Sequence, residues 1–167
     1  MMKLRPYRPE DAEVIASWIR DKATMHRLAA NLYDTFPVTP EEMNRKYNAY
    51  RTTHNGRAFV MTDEQNRPAG HFVWLFRPDD PDTARLCFVI VDDSRRGQGL
   101  GGELVRLALQ NAREEQRVRR VTLCVFANNP AAHRCYLGAG FRCLEPVRQV
   151  DIMGEKWDCI DMEVSWN

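Results

Sequence analysis

Hydrophobic positions along the chain change their spacing near residue 56: from residue 9 to there they recur mostly at helical intervals, and from there to residue 91 they alternate or run together. Residues 3–7 set Leu4 and Pro6 against Lys3, Arg5 and Tyr7, which predicts a short edge strand, because proline cannot donate to a ladder. Pro9-Glu10-Asp11 then opens a helix whose apolar face is Ala12, Ile15, Ala16 and Ile19, with Val14 and Trp18 beside it. Residues 23–32 read as a second short helix. Thr39-Pro40-Glu41-Glu42 supplies an N-cap, a proline at N1 and a glutamate at N3, the spacing of a capping box. That helix is expected to run to about residue 52, and Asn55-Gly56 ends it.

Residues 57–62 and 69–76 read as an antiparallel hairpin about the turn at 63–68. Residues 78–82 read as a loop. Residues 86–91, Leu-Cys-Phe-Val-Ile-Val, are apolar on both faces, as in a central strand covered on both sides. Residues 100–116 carry the stripe Leu100, Leu104, Leu107, Ala108 and Ala112 and read as a helix. A strand at 119–126 follows, then a short helix at 130–137 closed by Gly138-Ala139-Gly140. Two strands near 141–152 and 157–165, joined by a turn at 153–156, end the chain. Ile160, Met162 and Val164 are expected to face inward, Asp161 and Glu163 outward. The order β α α ββ β α β α ββ predicts a mixed α/β (α+β) fold, with helices flanking one central mixed sheet. With no repeat and no linker-like stretch, residues 1–167 read as a single domain.

Composition narrows the function classes. The net charge is +1, from 24 Lys+Arg against 23 Asp+Glu, so bulk electrostatics gives no reason to expect a nucleic-acid or membrane-surface partner. With no apolar run long enough to span a bilayer and no signal-like start, a cytoplasmic protein is expected. The five cysteines, at 87, 124, 135, 143 and 159, form no Cys-x-x-Cys pair. They fit neither a disulfide framework nor a zinc site, and no metal is expected; most read as small hydrophobes.

The chemistry concentrates in one loop. Of nine glycines, four lie in Gly97-Gln98-Gly99-Leu100-Gly101-Gly102, between the buried strand and the amphipathic helix. Glycines let a ligand approach the backbone closely, and a helix N-terminus offers unpaired N–H groups and a positive dipole end. With Arg95 and Arg96 beside it, this reads as a cradle for phosphate or pyrophosphate. It lacks the Gly-Lys-Ser/Thr of a Walker loop. It spells the dinucleotide G-x-G-x-x-G, but the next strand ends in Val125-Phe126-Ala127, without the acid that grips a ribose.

Arg96-x-x-Gly99-x-Gly101, after Val89-Ile90-Val91-Asp92, resembles the acetyl-CoA signature of the GNAT N-acetyltransferase family. Asn129 to Phe141 resembles that family's N-x-x-A-x-x-x-Y-x-x-x-G-F block. The order of elements resembles the family over nearly the whole chain. The resemblance implies acetyl-CoA as acyl donor. It implies that Val89 and Val91 offer backbone groups to the pantetheine arm, and that an amide there polarises the thioester. Arg96, Gly97, Gln98, Gly99, Leu100, Gly101 and Gly102 would hold the pyrophosphate, and Asn129 would contact the cofactor arm. Tyr136 would be the general acid to the departing thiolate. Transfer to a primary amine, on a small molecule or a peptide, would be direct within a ternary complex, in a monomer or homodimer.

Many relatives place a glutamate base where this chain has Cys124, which leaves His71, Asp92, Asp151 and Asp161 as candidate bases. That departure keeps a catalytically silent acyl-CoA-binding domain open as an alternative, beside a nicotinamide-dinucleotide domain. The acceptor region is expected among Trp18, Tyr33, Phe36, Tyr47 and Tyr50 and the acids Asp151, Asp158, Asp161 and Glu163.

Overall fold

A computed structural model describes residues 1–95 and 97–167. Its strands are Lys3–Pro6 (β1), Arg57–Thr62 (β2), Pro68–Arg77 (β3), Asp80–Val91 (β4), Arg120–Phe126 (β5), Arg142–Cys143 (β6), Arg148–Ile152 (β7) and Glu155–Ser165 (β8). Its helices are Asp11–Ser17 (α1), Lys22–Ala29 (α2), Pro40–Thr53 (α3), Leu100–Glu114 (α4) and Pro130–Gly138 (α5). One mixed sheet runs β1-β2-β3-β4-β5-β8-β6, with β7 also pairing β8. Among the described residues β4–β5 is the parallel pair and the others are antiparallel. That is not the doubly wound parallel sheet a dinucleotide-binding domain requires.

Local chemistry explains the helix starts. Thr39 Oγ1 accepts from the Glu42 amide at 3.2 Å, and Pro40 sits at N1, as the sequence predicts. Asp21 caps α2 by accepting from the Thr24 amide at 2.7 Å. Arg5 grips Asp11 through two hydrogen bonds of 2.8 and 2.9 Å, fastening the edge strand β1 to the start of α1.

The sheet separates two cores. On one face, α4 sets Leu100, Leu104, Val105, Ala108 and Ala112 against Phe59, Phe72, Trp74, Leu86 and Leu123. The Trp74 indole N–H is satisfied in that core by Asn111 Oδ1 at 2.9 Å. On the other face, α1, α2 and α3 bring Ile15, Trp18, Met25, Met43 and Tyr47 against Val60, Val73 and Phe88.

Three expectations change. The loop expected at 78–82 is mostly strand, since β4 starts at Asp80 directly after a tight turn from Arg77. The strand expected over 141–152 is two strands, β6 and β7, broken around Pro146, whose nitrogen cannot donate to the ladder. Glu163, expected outward, is buried at 8% exposure; β8 lies inside the sheet, and Arg120 and Arg142 neutralise the carboxylate.

The feature that shapes the site lies within β4. Its pairing with β3 slips between His71–Ile90 and Val73–Cys87, and Phe88 takes a left-handed φ of 54°. This is a bulge. Cys87 and Phe88 both join the α1–α3 core, after which Val89 and Val91 turn to the α4 core. On the opposite side of β4, pairing with β5 covers Thr83–Arg85 against Arg120–Thr122. Past Arg85 the two strands part, leaving a gap in the middle of the sheet.

Candidate active site

The glycine loop enters α4 from this gap. Gly97 and Gly99 have φ of 75° and 67°, so both need the left-handed freedom of glycine. The Cβ of any other residue at Gly101 would stand 3.3 Å from Cys135 Sγ, so this glycine lets α4 and α5 approach. At Gly102 a Cβ would meet open space. The first helical bond here is Glu103 N–H to Gly99 O at 3.1 Å, so the Leu100, Gly101 and Gly102 amides precede it and are not used within the helix. Leu100 itself is buried and anchors the turn.

The two arginines of the sequence reading divide. Arg95 is half-buried and pairs with Asp63 at 3.3 Å, so its charge pins the loop to the β2–β3 turn and is not free for phosphate. Arg96 lies outside the described residues. A basic feature the sequence reading missed is a groove of about 890 Å³ between α4 and α5. Gly102, Arg106, Arg113 and Arg134 line it. Its signal is present in the sequence as arginines on the polar side of α4, but their convergence with α5 is a tertiary fact.

Across the gap, Asn129 caps α5 by accepting from the Ala132 amide at 3.4 Å. Its carbonyl oxygen is thus occupied by the helix, while its amide N–H₂ remains available to a ligand. Tyr136 is 6% exposed and stacks edge-on against Phe141 at 5.7 Å. Its hydroxyl makes no hydrogen bond among the described residues. Burial pushes the phenol above its ordinary value, and the neighbouring Cys135, Cys124 and Cys87 add to this. Tyr136 therefore stays protonated at neutral pH, as a hydrogen-bond donor must.

The candidate bases fare differently. His71 is fully buried in the α1–α3 core, where its Nδ1–H donates to the Phe59 carbonyl at 2.8 Å and its Nε2 accepts from Tyr47 at 2.8 Å. Burial lowers its pKa to about 4. It is a satisfied core histidine. Asp92 accepts from the backbone and hydroxyl of Ser94. Asp151 is exposed and pairs with Lys156 at 2.7 Å. Asp161 is taken up by Arg148 through bonds of 2.6 and 2.8 Å, which hold its carboxyl below the usual range.

The aromatic residues Trp18, Tyr33 and Tyr47 are likewise core. Helices α1–α3 cover β2, β3 and β4 but leave part of β5 and β8 open. There Arg85, Thr122, Leu144, Pro146, Arg148 and Asp161 line a pocket of about 460 Å³. Of the five cysteines, most of them expected as small hydrophobes, Cys124 and Cys143 are exposed. Cys124 lies on this open face, next to the buried Cys159. A hydrogen bond from Cys159, helped by the charges of Arg85 and Arg148, holds the Cys124 thiol below its ordinary range.

Comparison with known proteins agrees with this geometry. Residues 19–141 match the model of the acetyltransferase (GNAT) family. An L-2,4-diaminobutyric acid acetyltransferase of Streptomyces coelicolor is 30% identical over 77 residues, which are 46% of this chain and 45% of that protein. The chain thus spans about half the length of this curated relative. The spermidine N-acetyltransferase of Vibrio cholerae, solved with CoA and spermine, superposes with a TM-score of 0.82 at 21% identity, over 98% of this chain and 95% of that one. A chimera of that enzyme with hSSAT gives 0.79 at 21% identity, over 98% and 95%. At these identities the structures speak for the fold.

Proposed function

The chain belongs to the GNAT acetyltransferase family, and from that premise we propose that it transfers the acetyl group of acetyl-CoA to a small primary amine, with residues 1–167 acting as one domain. The observation that carries this is the parting of β4 from β5 beyond Arg85–Thr122, between the glycine loop on one side and the open pocket on the other. An elongated thioester lying through such a gap would present its acyl end to an amine bound on the α1–α3 side.

In this reading the amides of residues 97–102 hold the pyrophosphate, with the positive end of α4 behind them. The α4–α5 groove takes the nucleotide end, where Arg113 and Arg134 supply positive charge and Arg106 is held by Glu103. The backbone of Val89 and Val91, freed from β5, aligns the pantetheine arm and polarises the thioester carbonyl. Asn129 contributes its amide N–H₂. Tyr136 donates its hydroxyl proton, or a hydrogen bond, to the departing thiolate. Of the four candidate bases, His71 is committed to the core and Asp151 and Asp161 to ion pairs, while Asp92 holds Ser94; in this reading water takes the amine's proton. The acceptors named for the relatives, diaminobutyric acid and spermidine, are both small amines, which supports that class.

The test is release of CoA thiol from acetyl-CoA across a panel of primary amines. Release that depends on the amine is expected. Binding of acetyl-CoA with no amine-dependent release would favour a silent acyl-CoA-binding domain. Tyr136→Phe should lower kcat about ten-fold or more at saturating acetyl-CoA. An unchanged kcat would remove Tyr136 from the chemistry.

A further inference from the structure

Arg85 is the last residue of β4 that still pairs with β5, opposite Thr122, at the point where the strands part. It is half-buried, and it lines the open pocket with Thr122, Arg148 and Asp161. Several buried or half-buried carboxylates of the molecule are matched. Asp11 has Arg5, Asp63 has Arg67 and Arg95, Asp161 has Arg148, and Glu163 has Arg120 and Arg142. Among the described residues no carboxylate lies within ion-pair distance of Arg85. Its charge is nevertheless felt by its surroundings, since it helps hold Cys124 and Asp161 below their ordinary values and partly offsets the burial that pushes Cys87 up.

We infer that the amine acceptor carries a carboxylate, and that Arg85 is the residue that binds it. This rests on the acetyl-transfer reading and narrows its substrate class. A guanidinium drawn half out of water costs free energy unless an anion completes it. Its planar fork matches a carboxylate through two parallel hydrogen bonds. Asp161, which lines the same pocket, bonds to Arg148 through both its oxygens and makes no ion pair with Arg85. The pocket, at about 460 Å³, is of a size for an amino acid. An acceptor whose carboxylate sits on Arg85 would direct its amine along β4 and β5 toward the gap. Arg148 is paired with Asp161 and Glu145 also lines the pocket, so a polyamine entering it would meet Arg85 as the like charge with no carboxylate of its own. Arg85 is thus a specificity-determining residue that holds the acceptor without taking part in proton transfer.

The experiment compares amines that differ by one carboxylate: L-2,4-diaminobutyrate with 1,3-diaminopropane, L-ornithine with 1,4-diaminobutane, and L-lysine with 1,5-diaminopentane, beside a wider panel of primary amines with and without a carboxylate. CoA thiol release is followed for the wild type, Arg85→Gln and Arg85→Lys. In the wild type the best amino acid should exceed its decarboxylated partner in kcat/KM by about ten-fold or more, mostly through KM. Arg85→Gln should bring that ratio close to one, chiefly by raising the KM for the amino acid and with no loss of rate on the diamine, while leaving the KM for acetyl-CoA unchanged. Arg85→Lys, which keeps the charge and loses the fork, should fall between. A wild type that acetylates only amines lacking a carboxylate overturns the inference and leaves the acetyl-transfer reading standing. So does an Arg85→Gln that slows both members of each pair equally. No amine-dependent release anywhere on the panel sinks both.

Discussion

At the scale of single residues, histidine 71 is where burial has a consequence that can be measured in solution. Held at about 4 in the folded protein, it sits against an unfolded value of about 6.5. Between those values the unfolded chain binds the proton and the folded chain does not. Stability is therefore fully present above about pH 6.5 and is lost as pH falls toward 4, by about 3 kcal/mol in all. His71→Gln, which cannot titrate, should flatten the dependence of Tm on pH between about 6.5 and 5, before the carboxylates begin to protonate. An unchanged slope in the variant would assign the acid sensitivity elsewhere. A lone histidine within an apolar strand reads equally well as a base or as a core residue. Only the Tyr47 hydroxyl on one ring nitrogen and the Phe59 carbonyl on the other decide it, and both come from distant parts of the chain.

At the scale of elements, what was legible is what local chemistry dictates. The Thr39 cap, the α4 stripe and the glycine turn could be read because each depends on residues a few positions apart. The β4 bulge could not be read. In an unbroken run of apolar residues nothing marks Phe88 as the one that takes a left-handed φ, yet that residue reverses which face Val89 and Val91 point to. The openness of the Cys124 face was hidden for a similar reason, since it depends on how far α1–α3 reach across the sheet. The glycines make a sharper case. Gly97 and Gly99 are required by backbone geometry and Gly101 by Cys135, but Gly102 is required by nothing in the fold. A glycine inside a helix costs about 0.5–1 kcal/mol relative to alanine. Its presence in open space fits a backbone that a ligand must approach. Gly102→Ala should therefore raise Tm slightly and raise the KM for acetyl-CoA together. A variant that is more stable with unaltered acetyl-CoA affinity would place the phosphates elsewhere.

At the scale of the whole molecule, the sheet is two halves joined at one short seam. β1 to β4 carry the α1–α3 core and much of the α4 core, while β5, β8, β6 and β7 form the rest. The seam is the register of Thr83, Ala84 and Arg85 with Arg120, Val121 and Thr122, supported beneath by α4 and α5. A ligand threaded from the α4 N-terminus through the gap would touch both halves, and its binding free energy would add to the resistance of the seam to opening. At a concentration of about 100 times its Kd such a ligand stabilises the folded state by roughly 2.7 kcal/mol. Acetyl-CoA should therefore raise Tm and slow hydrogen exchange in residues 97–102, in the end of β4 and in β5. Amides in α1 and β1, which the gap does not reach, should slow only as far as global unfolding limits them. NADH, which also carries a pyrophosphate, serves as the control. It should leave the β4 and β5 amides unchanged, because an antiparallel β3–β4 pair and a bulged β4 do not build the crevice a dinucleotide occupies. Protection confined to the glycine loop with acetyl-CoA, and none in β5, would mean that the pantetheine arm does not pass through the gap.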